Sequence, residues 1–320
     1  MRPRTRRFWS ISSVGLSGAL ALTACSSSSN PTAVGTSGGG ASPSSGRSTV
    51  VNVVASINAW GSILAQLGGS HVHATSIITN PNTDPHVYEP TPADGRTIAT
   101  SQLFVENGVG YDPWAGKALA ANPDTHRIVL NVGNLVGIAN GGNPHRWYSP
   151  ADVEKVADTI TADLKSIDPA DASYFDTQRQ TFETVGLARY HQLIASIKAT
   201  YAGTPVGASE SIFAPLSDAL GLTLLTPPSF LKAISEGTDP SAADKATIDA
   251  QISGTKIKVY VFNSQNSTPD IAAQVSAAKA QHLPVTSITE TLSPATASFQ
   301  DWQSAQLEAL QTALHQATGK

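Results

Sequence analysis

Residues 80–94 read Asn-Pro-Asn-Thr-Asp-Pro-His-Val-Tyr-Glu-Pro-Thr-Pro-Ala-Asp. Four prolines, from Pro81 to Pro92, stiffen the backbone on both sides of one imidazole, His86. Thr91 can N-cap a helix whose first residue is Pro92, with Asp94 three residues past the cap. The preceding residues 72–78 have the composition of a strand. The stretch therefore predicts a strand, a rigid turn and a helix start in succession, with a histidine fixed at the helix mouth. That is a metal-ligand arrangement.

The design recurs. Asn140-Gly-Gly-Asn-Pro-His145 forms a second Pro-His turn, after which Ser149 can cap a helix opening at Pro150, with Asp152 three residues past the cap. A lone histidine is usually structural. Two in matching turns at strand-to-helix junctions point toward ligands, because open α/β sheets bind at the carboxyl ends of their strands.

The rest of the chain fits this grammar. Residues 50–56, 72–78, 103–107 and 128–131 read as strands, with helices over 60–67, 94–101 and from Asp112-Pro113-Trp114 onward. Gly68-Gly69 supplies a helix stop. After Gly203 the rhythm restarts, with strands at 204–208, 222–225, 257–262 and 285–288. Helices are expected up to Leu220, over 240–252 with Asp239 as cap, over 269–281, and within 293–319 with Trp302, Leu307, Leu310 and Leu314 facing inward. Such alternation predicts an α/β fold of parallel sheets with crossover helices. Between the halves, residues 171–200 contain few breakers apart from Gly186. They predict a long helix, interrupted near Gly186, that spans roughly 45 Å if continuous. With 320 residues and 40% apolar content, each half can bury its own core.

Residues 1–24 have an arginine-rich head and an apolar stretch, the pattern of an export signal. Leu22-Thr23-Ala24-Cys25 resembles the bacterial lipobox, which implies lipidation of Cys25 and cleavage just before it. Acyl chains would hold the protein at the outer face of the cell membrane. Residues 25–49 are rich in Ser and Gly and predict a flexible tether. The expected divisions are thus a leader at 1–24, a tether at 25–49, lobes at 50–170 and 203–320, and a linking helix at 171–202. Cys25 is the only cysteine, so no intrachain disulfide forms. The net charge is −4; setting aside Arg2, Arg4, Arg6 and Arg7 of the leader reduces 20 basic residues to 16, against 24 acidic ones. A surface this acidic disfavours nucleic acid and suits a cation.

On this reading His86, His145, Glu210 and Glu290 each lie just past a strand's carboxyl end, two from each half. Two imidazoles and two carboxylates make a competent set for a divalent metal. Spacing alone leaves the glutamates open, since a glutamate at a helix N-terminus often only complements the dipole. His71 and His73, two residues apart, share a strand face and read as a solvated edge.

DPHVYEPTPAD and NPHRWYSP resemble the two signature turns of the metal-specific solute-binding proteins of ATP-driven zinc and manganese importers, the adhesin-type or cluster A-I family. VGASESIFAPLSDALGL resembles the family's third ligand segment and LPVTSITETL its fourth, so the likeness covers about residues 50–318. It implies two Rossmann-like lobes joined by one long helix, little lobe movement, and His86, His145, Glu210 and Glu290 as metal ligands. Glu210 matches a position that is Glu in manganese-type members and His in most zinc-type ones. Glu290 stands where the family usually has Asp. Tyr148-Ser149-Pro150 replaces the usual Leu-Asp-Pro, and the histidine-rich loop of zinc-type members is absent.

The resemblance implies a monomeric binding protein that delivers one divalent cation to a membrane permease driven by an ATPase. The ligand set leans toward manganese as cargo, with tight zinc binding in vitro and iron admitted by the same logic. Two other classes compete with this one: a surface adhesion protein with a structural metal, and a zinc hydrolase. No His-Glu-x-x-His, nucleophile elbow or P-loop is present, so an enzyme is not expected.

Overall fold

The computed structural model describes residues 50–320 apart from Asp84 and Ser267. The leader, the tether and Cys25 lie outside the described residues. Two four-stranded sheets are present. The first contains β1 (Val51–Ile57), β2 (Val72–Ile78), β3 (Leu103–Glu106) and β4 (Ile128–Asn131) in the order β2-β1-β3-β4. The second contains β5 (Pro205–Ala208), β6 (Thr223–Leu224), β7 (Val259–Asn263) and β8 (Val285–Ile288) in the order β6-β5-β7-β8. All strand pairs are parallel. The inner strands, such as Val51-Asn-Val-Val-Ala-Ser-Ile57, are nearly continuous runs of buried residues, as a sheet covered on both faces requires. In each sheet the chain winds one way from the first strand and the other way from the third. Both sheets therefore have a switch point between those strands, where carboxyl-end loops splay apart and leave a crevice.

Local chemistry sets the helix starts. Thr91 and Asp94 form a reciprocal capping box at the mouth of the Pro92–Ala99 helix, with the Thr91 amide donating to Asp94 Oδ2 at 2.7 Å. Ser149 accepts from the Asp152 amide at the start of Pro150–Ile167. The long helix expected between the halves is a helical run made of Ala172–Thr181, a wide π-type turn at Phe182–Gly186, and Ala188–Tyr201. The interruption ends at Gly186, the residue at which the sequence predicts a break.

Some local expectations shift. The helix read over 240–252 is Ala242–Ser253, capped by Ser241 and not Asp239. Ser241 holds the extended conformation that lets its hydroxyl reach the Asp244 amide. Helices at Val132–Val136 and Pro228–Ser235 add to those expected. His71 is no strand-edge histidine: its Nδ1 lies 2.7 Å from Asp171 Oδ2 and its ring stacks on Tyr174 at 3.9 Å. His191, expected on the surface, is half-buried with Nε2 3.2 Å from Glu154 Oε1.

One contiguous apolar core runs through both halves, from Trp60, Trp147 and Tyr148 to Tyr190, Phe299 and Trp302. A smaller one, around Phe230, Ile248 and Tyr260, fills the second half. The shared core ties the lobes together.

Burial raises the Asp163 carboxyl to about 6. The folded chain thus keeps a proton that the unfolded chain releases between roughly pH 4 and 6, and stability from this group falls as pH rises through that window. Asp163→Asn is expected to stabilise the protein at pH 7 by about 1 kcal/mol, after discounting for partial exposure, with little gain near pH 4. Urea midpoints at both pH values check this; an equal gain at both would remove burial of the charge as the cause.

Candidate metal centre

The carboxyl-end loops of both sheets supply the site. After β2 the chain enters the proline-stiffened turn, and His86 sits in its tight 3-10 turn, Pro85–Val87. After β3, Gly108, Val109 and Gly110 all have positive φ, at 71°, 58° and 81°. Valine rarely adopts this region, so Val109 stores strain that the surrounding packing must offset. The turn brings the Gly110 carbonyl oxygen 3.3 Å from His86 Nδ1 and aims the Tyr111 side chain across the crevice. Its start is held by the Asp112 carboxylate, which accepts from the Asn107 and Gly108 amides at 2.7 and 2.8 Å.

His145 is buried, and its turn is pinned twice. Asn107, at the end of β3, donates through Nδ2 to the Pro144 carbonyl oxygen at 2.9 Å and accepts from Trp60 Nε1 at 3.0 Å. The Asn143 amide oxygen meets both the His145 backbone N–H (3.1 Å) and Nδ1 (2.9 Å). An amide oxygen only accepts, so Nδ1 carries the proton and Nε2 keeps the lone pair, as a metal ligand needs. Burial first, then the nearby His86 and Arg146, push the His145 imidazole down to about 3. It is neutral across the physiological range. Arg146 is itself turned to Asp152, with Nε 2.7 Å from Oδ2.

The second lobe brings the carboxylates. Glu210 follows β5 and is buried; Glu290 follows β8 and is half-buried. Both amide hydrogens of Asn263 are used on them: its Nδ2 donates to Glu210 Oε1 at 2.6 Å and to Glu290 Oε1 at 3.0 Å. Asn266 Nδ2 donates to Glu210 Oε2 at 2.7 Å. Tyr111 Oη, from the other lobe, donates to Glu290 Oε2 at 3.0 Å. Burial, then Glu290, raise the Tyr111 phenol well above its ordinary range, so it stays a donor. Gln265 Oε1 accepts the Glu290 amide at 2.9 Å, and the Tyr148 hydroxyl reaches across to the Thr289 carbonyl oxygen at 2.7 Å.

Three of the four residues expected as ligands converge. His145, Glu210 and Glu290 each offer a ligand atom within 4.8 Å of those of the other two. His86 stands outside that group but lines the same cleft as Glu290, one of about 640 Å³. Its ring packs edge-on against Tyr111 at 4.9 Å, and Tyr111 also meets the His145 ring at 5.9 Å. The cleft walls are joined across the lobes by Asn143 Nδ2 to the Ser211 carbonyl oxygen (2.6 Å) and Lys232 Nζ to that of Gly141 (2.8 Å). Two imidazoles and two carboxylates fit a divalent cation in ligand type and in charge.

Sequence reasoning does not single out Tyr111, Asn143, Asn263 or Asn266. Their one legible signal is position, since Asn263 ends β7 and Tyr111 and Asn266 lie just past strand carboxyl ends.

The sequence profile of the family described as the zinc-uptake complex component A, periplasmic, matches residues 53–313. The chain belongs to this family. Its relatives include the manganese-binding lipoprotein MntA of Halalkalibacterium halodurans, 25% identical over 137 residues (41% of this chain, 45% of that protein). The high-affinity zinc uptake system protein ZnuA of Bacillus subtilis is 23% identical over 202 residues (56% and 60%). The iron-binding protein YfeA of Yersinia pestis is 28% identical over 125 residues (37% and 40%). The chain aligns with about half the length of these relatives. Solved structures extend the likeness over the fold. A crystal structure of ZnuA superposes with a TM-score of 0.66 at 21% identity, covering 84% of this chain and all of that one. The manganese-bound form of a serine-to-alanine mutant of a periplasmic metal-binding protein from Candidatus Liberibacter asiaticus reaches 0.69 at 19% identity, covering 82% and 98%. The zinc-uptake component fold, two lobes of parallel sheet flanked by helices, is thus the fold of this chain.

Proposed function

We propose that this protein captures a divalent transition metal outside the cytoplasm and delivers it to an ABC-type membrane importer. Manganese, zinc and iron are the cations named for its relatives. The observation that carries the reading is the convergence of His145, Glu210 and Glu290 from two lobes on one cleft, with His86 on its wall. His86, His145, Glu210 and Glu290 are the proposed ligands. The role is binding and release, not catalysis: both oxygens of each carboxylate are held by donors, which suits a fixed coordination cage better than a general base.

The same reading divides the chain into a leader at 1–24, a tether from the lipidated Cys25 to 49, lobes at 50–170 and 203–320, and a linking run at 171–202. The protein then works as a lipid-anchored monomer, docking on a permease whose partner ATPase drives transport. Among the described residues no helix is long and apolar enough to cross a membrane.

The test combines binding and uptake. The purified protein is expected to bind one zinc or manganese ion per chain, and cells lacking the gene should lose high-affinity uptake of that metal. Cys25→Ser should move the protein from the membrane to the soluble fraction. Normal uptake in the deleted strain, with metal binding retained, would favour the structural-metal adhesion reading instead.

A further inference from the structure

Asn263 is fully buried at the carboxyl end of β7, between the two glutamates. Its orientation is fixed by chemistry. The Gln265 amide N–H donates to its Oδ1 at 2.9 Å, so the NH₂ end must face the carboxylates. That one nitrogen supplies a hydrogen to Glu210 Oε1 and a hydrogen to Glu290 Oε1, which exhausts it. The remaining oxygens have their own donors, Asn266 on Glu210 and Tyr111 on Glu290. None of these three side chains is charged; they orient the carboxylates without neutralising them.

A carboxylate chelates through both oxygens only when both can turn their lone pairs to the metal. A hydrogen bond to a carboxylate oxygen fixes the group's rotation. We infer that Asn263 sets the metal preference of this centre, by fixing the rotation of Glu210 and Glu290 so that each turns a single oxygen to the metal. Resting on the ligand set proposed above, two imidazoles and two single oxygens make four ligands. Four is the number zinc takes in a closed tetrahedral site. Manganese suits oxygen-rich octahedral sites and needs two more ligands. The hydrogen bonding thus opposes the lean toward manganese that ligand identity alone suggests.

The experiment uses the full chain with Zn²⁺ and Mn²⁺ as probes. Competition titrations give the zinc-over-manganese affinity ratio, and X-ray absorption of the zinc complex gives its coordination number. Asn263→Leu keeps the branching at Cγ, with somewhat more bulk, and removes both donors. It is expected to lower the ratio about tenfold, in the range seen when hydrogen bonds to metal ligands are lost, and to add at least one oxygen to the zinc shell. Asn266→Leu frees one oxygen of Glu210 alone while Asn263 still holds the other, so a smaller shift in the same direction is expected; it carries the test should the first variant not fold. An unchanged ratio and ligand count in the folded variants, with one metal still bound per chain, would overturn the assignment and leave Asn263 a structural residue. Binding that survives His145→Ala undiminished would be a different failure, of the centre itself, and would take this inference with it.

Discussion

Replacing His145 by alanine is expected to weaken binding of a divalent metal by more than about a hundredfold, the upper end of the cost of losing a supporting hydrogen bond. The imidazole is buried, neutral and held in one tautomer by Asn143, so the site meets no ordering or deprotonation cost at this ligand. Glu210→Gln should cost a similar factor, because it removes half of the carboxylate charge that balances the cation. His86→Ala should cost less. Its ring is half-buried and lies outside the 4.8 Å group formed by the other three. Competition against a chromogenic chelator measures all three. The order matters more than any single value: if His86→Ala were the most damaging variant, the centre would lie nearer the cleft mouth than its buried triad. Thermal stability gives a second reading. At a metal concentration of 100 times Kd, binding stabilises the folded chain by about 2.7 kcal/mol, and His145→Ala should cut that increment to about 0.4 kcal/mol or less.

The largest effect on stability is expected at Trp147. Its indole is fully buried where the second Pro-His turn meets the first-lobe core. Its ring packs at 5.1 Å on Tyr111, 5.4 Å on His145 and 6.3 Å on Trp60. Truncation leaves a cavity walled by other aromatic rings, which cannot collapse far into it. Trp147→Ala should therefore destabilise the protein by about 4 kcal/mol. A urea midpoint lowered without a change in slope would identify a loss of native packing. Because the same ring supports His145 and Tyr111, metal affinity should fall as well. A variant with wild-type stability would mean the aromatic cluster is dispensable.

Both predictions join features that differ in how far sequence reading can reach. The capping box at Thr91 and Asp94, the Ser149 cap and the interruption at Gly186 were legible because each rests on contacts within one or two helical turns. The parallel sheets were legible from the repeated alternation of buried strands with helices. His86 and His145 stood out through stiff local turns, and the resemblance supplied Glu210 and Glu290. Where two local options compete, sequence was less able to choose. Asp239 and Ser241 are both good caps, and the backbone angle at Ser241 decided between them. The Pro228–Ser235 helix is concealed by its own start: Thr226-Pro227-Pro228 reads as a breaker, yet it opens a helix whose Phe230, Leu231 and Ile234 bury one face.

Identity and spacing along the chain were enough for the elements, the proline-histidine turns and the acidic, cation-favouring character. They did not reveal how the glutamates are held. Asn263 lies 53 residues from Glu210 and 27 from Glu290, and Tyr111 lies 179 residues from the carboxylate it bonds. Asn263 meets the glutamates because β5, β7 and β8 are neighbours in one sheet, and Tyr111 meets Glu290 because strands of the two sheets end at one crevice. Hydrogen bonds act over about 3 Å, and nothing in the order of residues encodes a distance of that kind between remote segments. The four candidate side chains were written in the chain; which donors hold the two carboxylates was settled by packing.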